Sequence, residues 1–259
     1  MCIRDSITIV GFNMTNKFGN NIMYIDGVAD VNVTRNIMNF YGASNRGVYL
    51  DPIYGNIKVY ENTIKSPHNY TYGVYVDEGW GDLEINYNTI ELTGNGTYGI
   101  RVDSLYGDTQ INHNDISTLG VGSYCIYLVD LYGDCQANDN NEIKSYNEFY
   151  VSLTRGDMEA IGNKLNITDS YGISLSSIYG KTYVNNNDIQ SDWTGVNIAT
   201  GYCDIQVNDN TRISSTNVYG VSISSGYAHA EVSNNTITSY DDGIYFNSVK
   251  SGCTANGNN

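Results

Sequence analysis

An all-β parallel β-helix is the fold class that this sequence predicts, and three observations carry the prediction. The stretch from Leu83 to Asp108 repeats: shifted by one unit in either direction, it lands on copies at 57 to 82 and 109 to 134. Within each copy apolar and polar residues alternate over short segments, the pattern of a half-buried strand, and no stretch has the 3.6-residue period of a helix. Asparagine returns at one position of every unit from the second onward: Asn36, Asn62, Asn88, Asn114, Asn140, Asn163, Asn187, Asn210, Asn235 and Asn258. A unit of about 25 residues built from short strands cannot bury its own apolar face, so stacked neighbours must close the core. A β-propeller would want four strands and about 40 residues per repeat.

In the unit, Leu83, Ile85 and Ile90 are apolar while Glu84, Asn86 and Asn88 are polar, which predicts a first strand. Gly99-Ile100-Arg101-Val102-Asp103 alternates again and predicts a second, with Ile100 and Val102 inward and Arg101 and Asp103 outward. A Gly/Asn/Thr-rich loop lies between them, and Tyr106-Gly107-Asp108 closes the coil as a turn. Each coil thus reads strand, loop, strand, turn. Equivalent residues of stacked coils lie about 4.8 Å apart, so the asparagines can hydrogen-bond in one continuous ladder. Asparagine also tolerates the left-handed backbone that a sharp corner needs.

The coils begin at residues 7, 31, 57, 83, 109, 135, 158, 182, 205 and 230, with a partial coil from 253. The first is degenerate and carries Phe12 at the ladder position. The inward row of the first strand is Val33, Val59, Ile85, Ile111, Ala137, Ala160, Val184, Val207, Val232 and Ala255; the second strand contributes Val48, Val74, Ile100, Ile126, Ile173, Val196, Val221 and Ile244. Eight residues separate the apolar anchors Met38, Ile64, Ile90 and Ile116 from the next strand's glycine position, whereas later coils use five or six. Local loop growth on a repeat scaffold marks a binding face.

At 259 residues and 41% hydrophobic content the chain can bury one long core, so residues 7–259 form one domain. A net charge of −15 argues against nucleic acid and anionic membranes and favours cations or neutral and basic partners. No run of 18 apolar residues is present to span a membrane as a helix. Twenty-four tyrosines against five phenylalanines place most aromatics where a hydroxyl stays wet. Cys125, Cys135, Cys203 and Cys253 sit in different coils, beyond disulfide reach, and are expected to be small buried or corner residues. The opening MCIRDS, residues 1–6, resembles a translated sequencing adapter and is set aside. The final CTANGNN matches the start of another coil, so the expectation is a fragment of a longer solenoid whose strand edges associate end to end.

If Val48 and Leu50 point inward, Tyr49 and Asp51 point outward, and the same alternation exposes Tyr75 and Asp77, Arg101 and Asp103, and Tyr127 on successive coils. Tyr49, Tyr75, Arg101 and Tyr127 are therefore the candidate carbohydrate-binding residues: rings offer apolar faces to sugars, and Arg101 a fork for a uronate carboxylate. Asp51, Asp77 and Asp103 are the candidate ligands for calcium, a hard cation suited to oxygen donors. The bland alternative is a solvated face on which tyrosines stack across coils and Arg101 pairs with a neighbouring aspartate.

The repeated grammar Asn-x-Ile followed by Gly-Ile/Val-x-Val, as in Asn88-Thr89-Ile90 and Gly99-Ile100-Arg101-Val102, resembles the right-handed single-stranded parallel β-helix of the pectin-lyase-like superfamily. The resemblance covers 7–259 and implies an extracellular or cell-surface protein that acts on, or adheres to, polysaccharide or cell-surface glycan. The Asn/Thr/Tyr-rich composition resembles adhesin-like surface repeat proteins. Asp241-Asp242-Gly243-Ile244 resembles part of the paired-aspartate motif of polygalacturonases, but the companion Asn-Thr-Asp, Gly-His-Gly and Arg-Ile-Lys motifs are absent, and Asp-Asp-Gly is also a turn signal. Arg101 is the one candidate for the proton-abstracting base of a lyase. The expectation is a structural or adhesive, carbohydrate-binding protein with no catalytic residue assigned; the alternative is a polysaccharide lyase or glycoside hydrolase.

Overall fold

The computed structural model describes residues 6–17, 21–224 and 226–259; most of the opening hexapeptide, Cys2 included, lies outside the described residues. Every regular element among them is a strand. The strands form three parallel sheets of eleven, ten and ten members, and each strand pairs with the one three places along the chain. The chain therefore winds as a β-solenoid of about ten coils, and the first-sheet strands begin at each of the predicted coil starts, from Ile7 to Cys253.

A coil holds three strands rather than two. In the coil of Leu83, the segment expected as one strand is broken into Leu83–Asn86 and Thr89–Leu92, and the third strand is Tyr98–Val102. The break is the left-handed residue Tyr87, φ 59°, which turns the chain from the first sheet to the second. Its equivalents Arg35, Glu61, His113, Asp139, Asn186, Asp209 and Asn234 also have positive φ, and Gly11, Gly162 and Gly257 take the same place in other coils. The sharp corner is thus real, but its left-handed residue precedes the ladder asparagine. The asparagine itself is kept for hydrogen bonding.

That ladder is continuous. The backbone N–H and side-chain amide of Asn62 both donate to Asn88 Oδ1 at 3.0 Å. Asn88 repeats the pattern on Asn114 at 2.9 and 3.1 Å and donates to the Val59 carbonyl at 2.8 Å. The same pattern reaches Asn258 at one end. At the other end Phe12, 58% exposed, has no amide to add but donates its backbone N–H to Asn36 Oδ1. From Asn36 to Asn235 the rungs are buried, so each amide satisfies donors and acceptors that water cannot reach.

The predicted inward rows are the core: Val33 to Val232 and Val48 to Val221 are buried, while Ile244 is half-buried and Ala255, in the last strand, is exposed. Glycine enters the third sheet where neighbouring coils approach closely. A Cβ on Gly73 would stand 2.5 Å from the Gly99 carbonyl oxygen and 2.7 Å from Ile90. Further ladders run outside. Aspartate side chains accept the backbone N–H of the next coil from Asp82 to Asp108, Asp108 to Asp134 and Asp134 to Asp157. All four described cysteines are free; Cys125 and Cys135 are buried, Cys203 is half-buried, and Cys253, expected as a small buried or corner residue, is exposed in the last strand.

Candidate functional site on the third sheet

Parallel register brings the predicted residues into line. Tyr49 pairs with Tyr75, Tyr75 with Arg101, and Arg101 with Tyr127. Two residues that sequence reasoning missed extend the column: Tyr24 pairs with Tyr49, and Tyr150 with Tyr127. Tyr24 was hidden by the degenerate first coil, and Tyr150 by the shortened loop that shifts its coil. A second column stands beside the first, formed by Arg46, Tyr72, Tyr98 and Tyr124 at the bases of the long loops. Its signal was legible: Tyr72, Tyr98 and Tyr124 each precede the glycine position of the strand, Gly73, Gly99 and Cys125.

The rings stack on one another along the solenoid. Tyr24–Tyr49 and Tyr49–Tyr75 have centroids 5.1 Å apart, and Tyr72–Tyr98 and Tyr98–Tyr124 lie at 5.2 and 5.3 Å with nearly parallel planes. Arg46 lies over Tyr49 at 4.0 Å, and Arg101 reaches four rings, those of Tyr72, Tyr75, Tyr98 and Tyr127, at 5.1 to 5.9 Å. Ring faces inside a column are thus largely spent on neighbours, and edges point outward. Tyr75, predicted outward, is only 8% exposed because neighbouring side chains cover it.

The aspartates form a parallel row tied to the rings. Tyr49 Oη lies 3.0 Å from Asp51 and 3.1 Å from Asp77; Tyr75 Oη lies 3.0 Å from Asp77 and 2.7 Å from Asp103. Arg101 grips Asp103 with Nε at 2.7 Å and a terminal nitrogen at 2.8 Å. Each phenol has one hydrogen to share between two carboxylates, so the row is short of donors. Burial, then the hydrogen bonds to Asp51 and Asp77, push the Tyr49 pKa up; for Tyr75 burial again leads, followed by the bond to Asp103. Burial works to lower the Arg101 pKa, but the bond to Asp103 and its charge outweigh it and the net shift is upward. A guanidinium held that way is a poor proton acceptor. Among the described residues no group of three or more His, Cys, Asp or Glu is placed to hold a metal ion. A cation here would be bridged by two carboxylates at a time rather than caged.

Asp241 and Asp242 are exposed in the turn before Ile244–Asn247; the Ser239 hydroxyl donates to the Asp241 carbonyl and the Gly220 N–H to the Asp242 carbonyl. The pair acts as turn backbone.

A third aromatic column escaped the sequence reading altogether. At the corner after the third sheet, Tyr54, Trp80, Tyr106, Tyr132, Arg155, Tyr179, Tyr202, Tyr227 and Lys250 follow one another coil by coil, as their backbone N–H bonds to the preceding coil show. Trp80–Tyr106, Tyr106–Tyr132 and Tyr179–Tyr202 stack at 4.4 to 4.5 Å, and Tyr202–Tyr227 at 5.1 Å. The available signal was an aromatic at a fixed place before the turn glycine, as in Tyr54-Gly55, Tyr106-Gly107 and Tyr179-Gly180. Compared with known proteins, the chain matches no family model, no curated protein and no solved structure.

Proposed function

We propose that this solenoid is a non-catalytic structural or adhesive protein of the cell surface or extracellular space, whose third sheet contacts polysaccharide. The observation that carries this reading is the closed pairing of the stripe. Phenols engage Asp51, Asp77 and Asp103, and Arg101 is locked onto Asp103, so every carboxylate of the stripe has a hydrogen-bond partner and the one cation is paired. General acid–base chemistry needs a group poised to exchange a proton, whereas adhesion needs an ordered surface of ring edges, hydroxyls and partly paired charges. Calcium is the cation this row would take, bridging Asp51 to Asp77 and Asp77 to Asp103. With fewer protein oxygens than the six to eight ligands calcium prefers, it would bind weakly and keep several waters.

The test pairs binding with turnover. Insoluble and soluble polysaccharides are offered to the protein, retention is measured, and release of reducing ends or unsaturated uronates is followed in the same samples. Retention without product, lost in Tyr75→Ala/Asp77→Ala, supports the reading. Product from polygalacturonate or alginate that disappears in Arg101→Ala would replace it with the lyase alternative, and absence of any retention would remove the polysaccharide contact.

A further inference from the structure

Stacking in the corner column covers the ring faces of its interior members, and the break at Arg155 is where one opens. Tyr179 stacks on Tyr202 on one side. On its other side the column has no ring, and Arg155 lies over the opposite neighbour, Tyr132, at 4.3 Å. The result is a cleft of about 310 Å³ lined by Leu153, Arg155 and Tyr179. That volume sits at the small end of ligand pockets, about 300 to 1,000 Å³, and suits one ring rather than a chain.

Two side chains distinguish the cleft from the equivalent places in neighbouring coils. Leu153 has φ 57°, a left-handed conformation that costs a residue with a Cβ about 1–2 kcal/mol. Its register equivalents Asp130, Ser177 and Thr200 share that backbone but are short and polar. A half-buried leucine is the odd member, and it lies against the cleft. Arg155 is exposed and, among the described residues, forms no ion pair, although acidic side chains outnumber basic ones 28 to 13. A bulky apolar side chain and a guanidinium with no carboxylate partner thus meet at the open face of Tyr179.

We propose that the notch at Arg155 binds a single acidic sugar residue carried on an otherwise uncharged glycan. The apolar face of the pyranose would lie on Tyr179 and Leu153, and its carboxylate would take the Arg155 fork. Charge limits the site to one anionic residue. The turn that follows carries Asp134, whose carboxylate accepts the Asp157 N–H, and the whole chain carries −15, so a polymer with a charge on every sugar is repelled. This site lies at the corner after the third sheet and does not rest on the role proposed for that sheet's outer face.

Calorimetry and ligand-observed NMR on the full chain test it with methyl glucuronide, methyl glucoside, acetate and trigalacturonate. Methyl glucuronide is expected to bind, with the glucoside and acetate each about tenfold weaker or more, since each lacks one of the two contacts. Arg155→Tyr should complete the ring column and abolish binding while holding or raising the melting temperature; Tyr179→Ser should abolish binding through loss of the face. Three results would overturn the proposal: no glucuronide binding at millimolar concentration, equal binding by folded Arg155→Tyr, or acetate or the glucoside matching the glucuronide. Trigalacturonate binding tighter than the monosaccharide would overturn the restriction to one charge.

Discussion

At the scale of single residues, the ladder asparagines and the left-handed positions divide the work of each corner. Asn88 Oδ1 accepts both donors of Asn62, and its own amide serves Val59 and Asn114, all away from water. Asn88→Ala strands several buried groups at about 1–3 kcal/mol each, so a loss of roughly 3 kcal/mol is expected from urea unfolding. Asn112→Ala removes one half-exposed bond to Asn138 and should cost less than about 1 kcal/mol. Leu153→Asn replaces a strained residue by one that accepts left-handed backbone, and should raise stability by about 1 kcal/mol. An unchanged or lower melting temperature in Leu153→Asn would show that the leucine is held by packing.

At the scale of strands, close approach between coils sets what the third sheet tolerates. A Cβ on Gly99 would lie 2.5 Å from both the Cys125 carbonyl oxygen and Ile116 Cγ2. Backbone cannot swing away as a flexible side chain can, so Gly99→Ala should destabilise by about 1–3 kcal/mol, with exchange of the Tyr98–Val102 and Tyr124–Leu131 amides accelerated first. The same close spacing ties the aspartate row to its phenols. Millimolar calcium should raise the melting temperature, and Asp77→Asn, which removes the carboxylate shared by both bridges, should erase that rise. A rise that survives Asp77→Asn would place the cation elsewhere.

For the whole molecule, burial makes stability fall in alkali. Burial pushes the thiols of Cys125 and Cys135 from an ordinary 9.0 up to about 12, and burial followed by the Glu148 charge pushes Tyr124 from 10.0 to about 12. A raised pKa in the folded state means that the unfolded chain releases its proton first. The stabilisation is therefore complete below pH 9 and is lost as pH rises towards 12, at up to about 1.4 kcal/mol per pH unit for each group. Cys135→Ala should flatten the pH 9–12 slope by one proton's worth, measured by denaturant unfolding across that range. Alkylation should follow the same burial: exposed Cys253 reacts first, half-buried Cys203 next, and Cys125 and Cys135 only on unfolding.

Periodic pattern is local information. The sequence alone therefore determined the coil starts, the two inward rows, the asparagine line and the alignment of Tyr49, Tyr75, Arg101 and Tyr127, because each repeats at fixed offsets from its neighbours in the chain. Tertiary structure decided what no offset encodes. A left-handed residue before each ladder asparagine splits the expected first strand in two, since the backbone must turn before the amide can point along the axis. Whether a tyrosine offers a face or an edge depends on the ring one coil away, 23 to 26 residues distant in the chain, and on whether that coil has a ring at all. Tyr75 is covered because Tyr49 and Arg101 flank it, whereas Tyr179 has an open face because its coil neighbour is Arg155, turned onto Tyr132. Ring faces are shared between coils only once the solenoid has set their spacing.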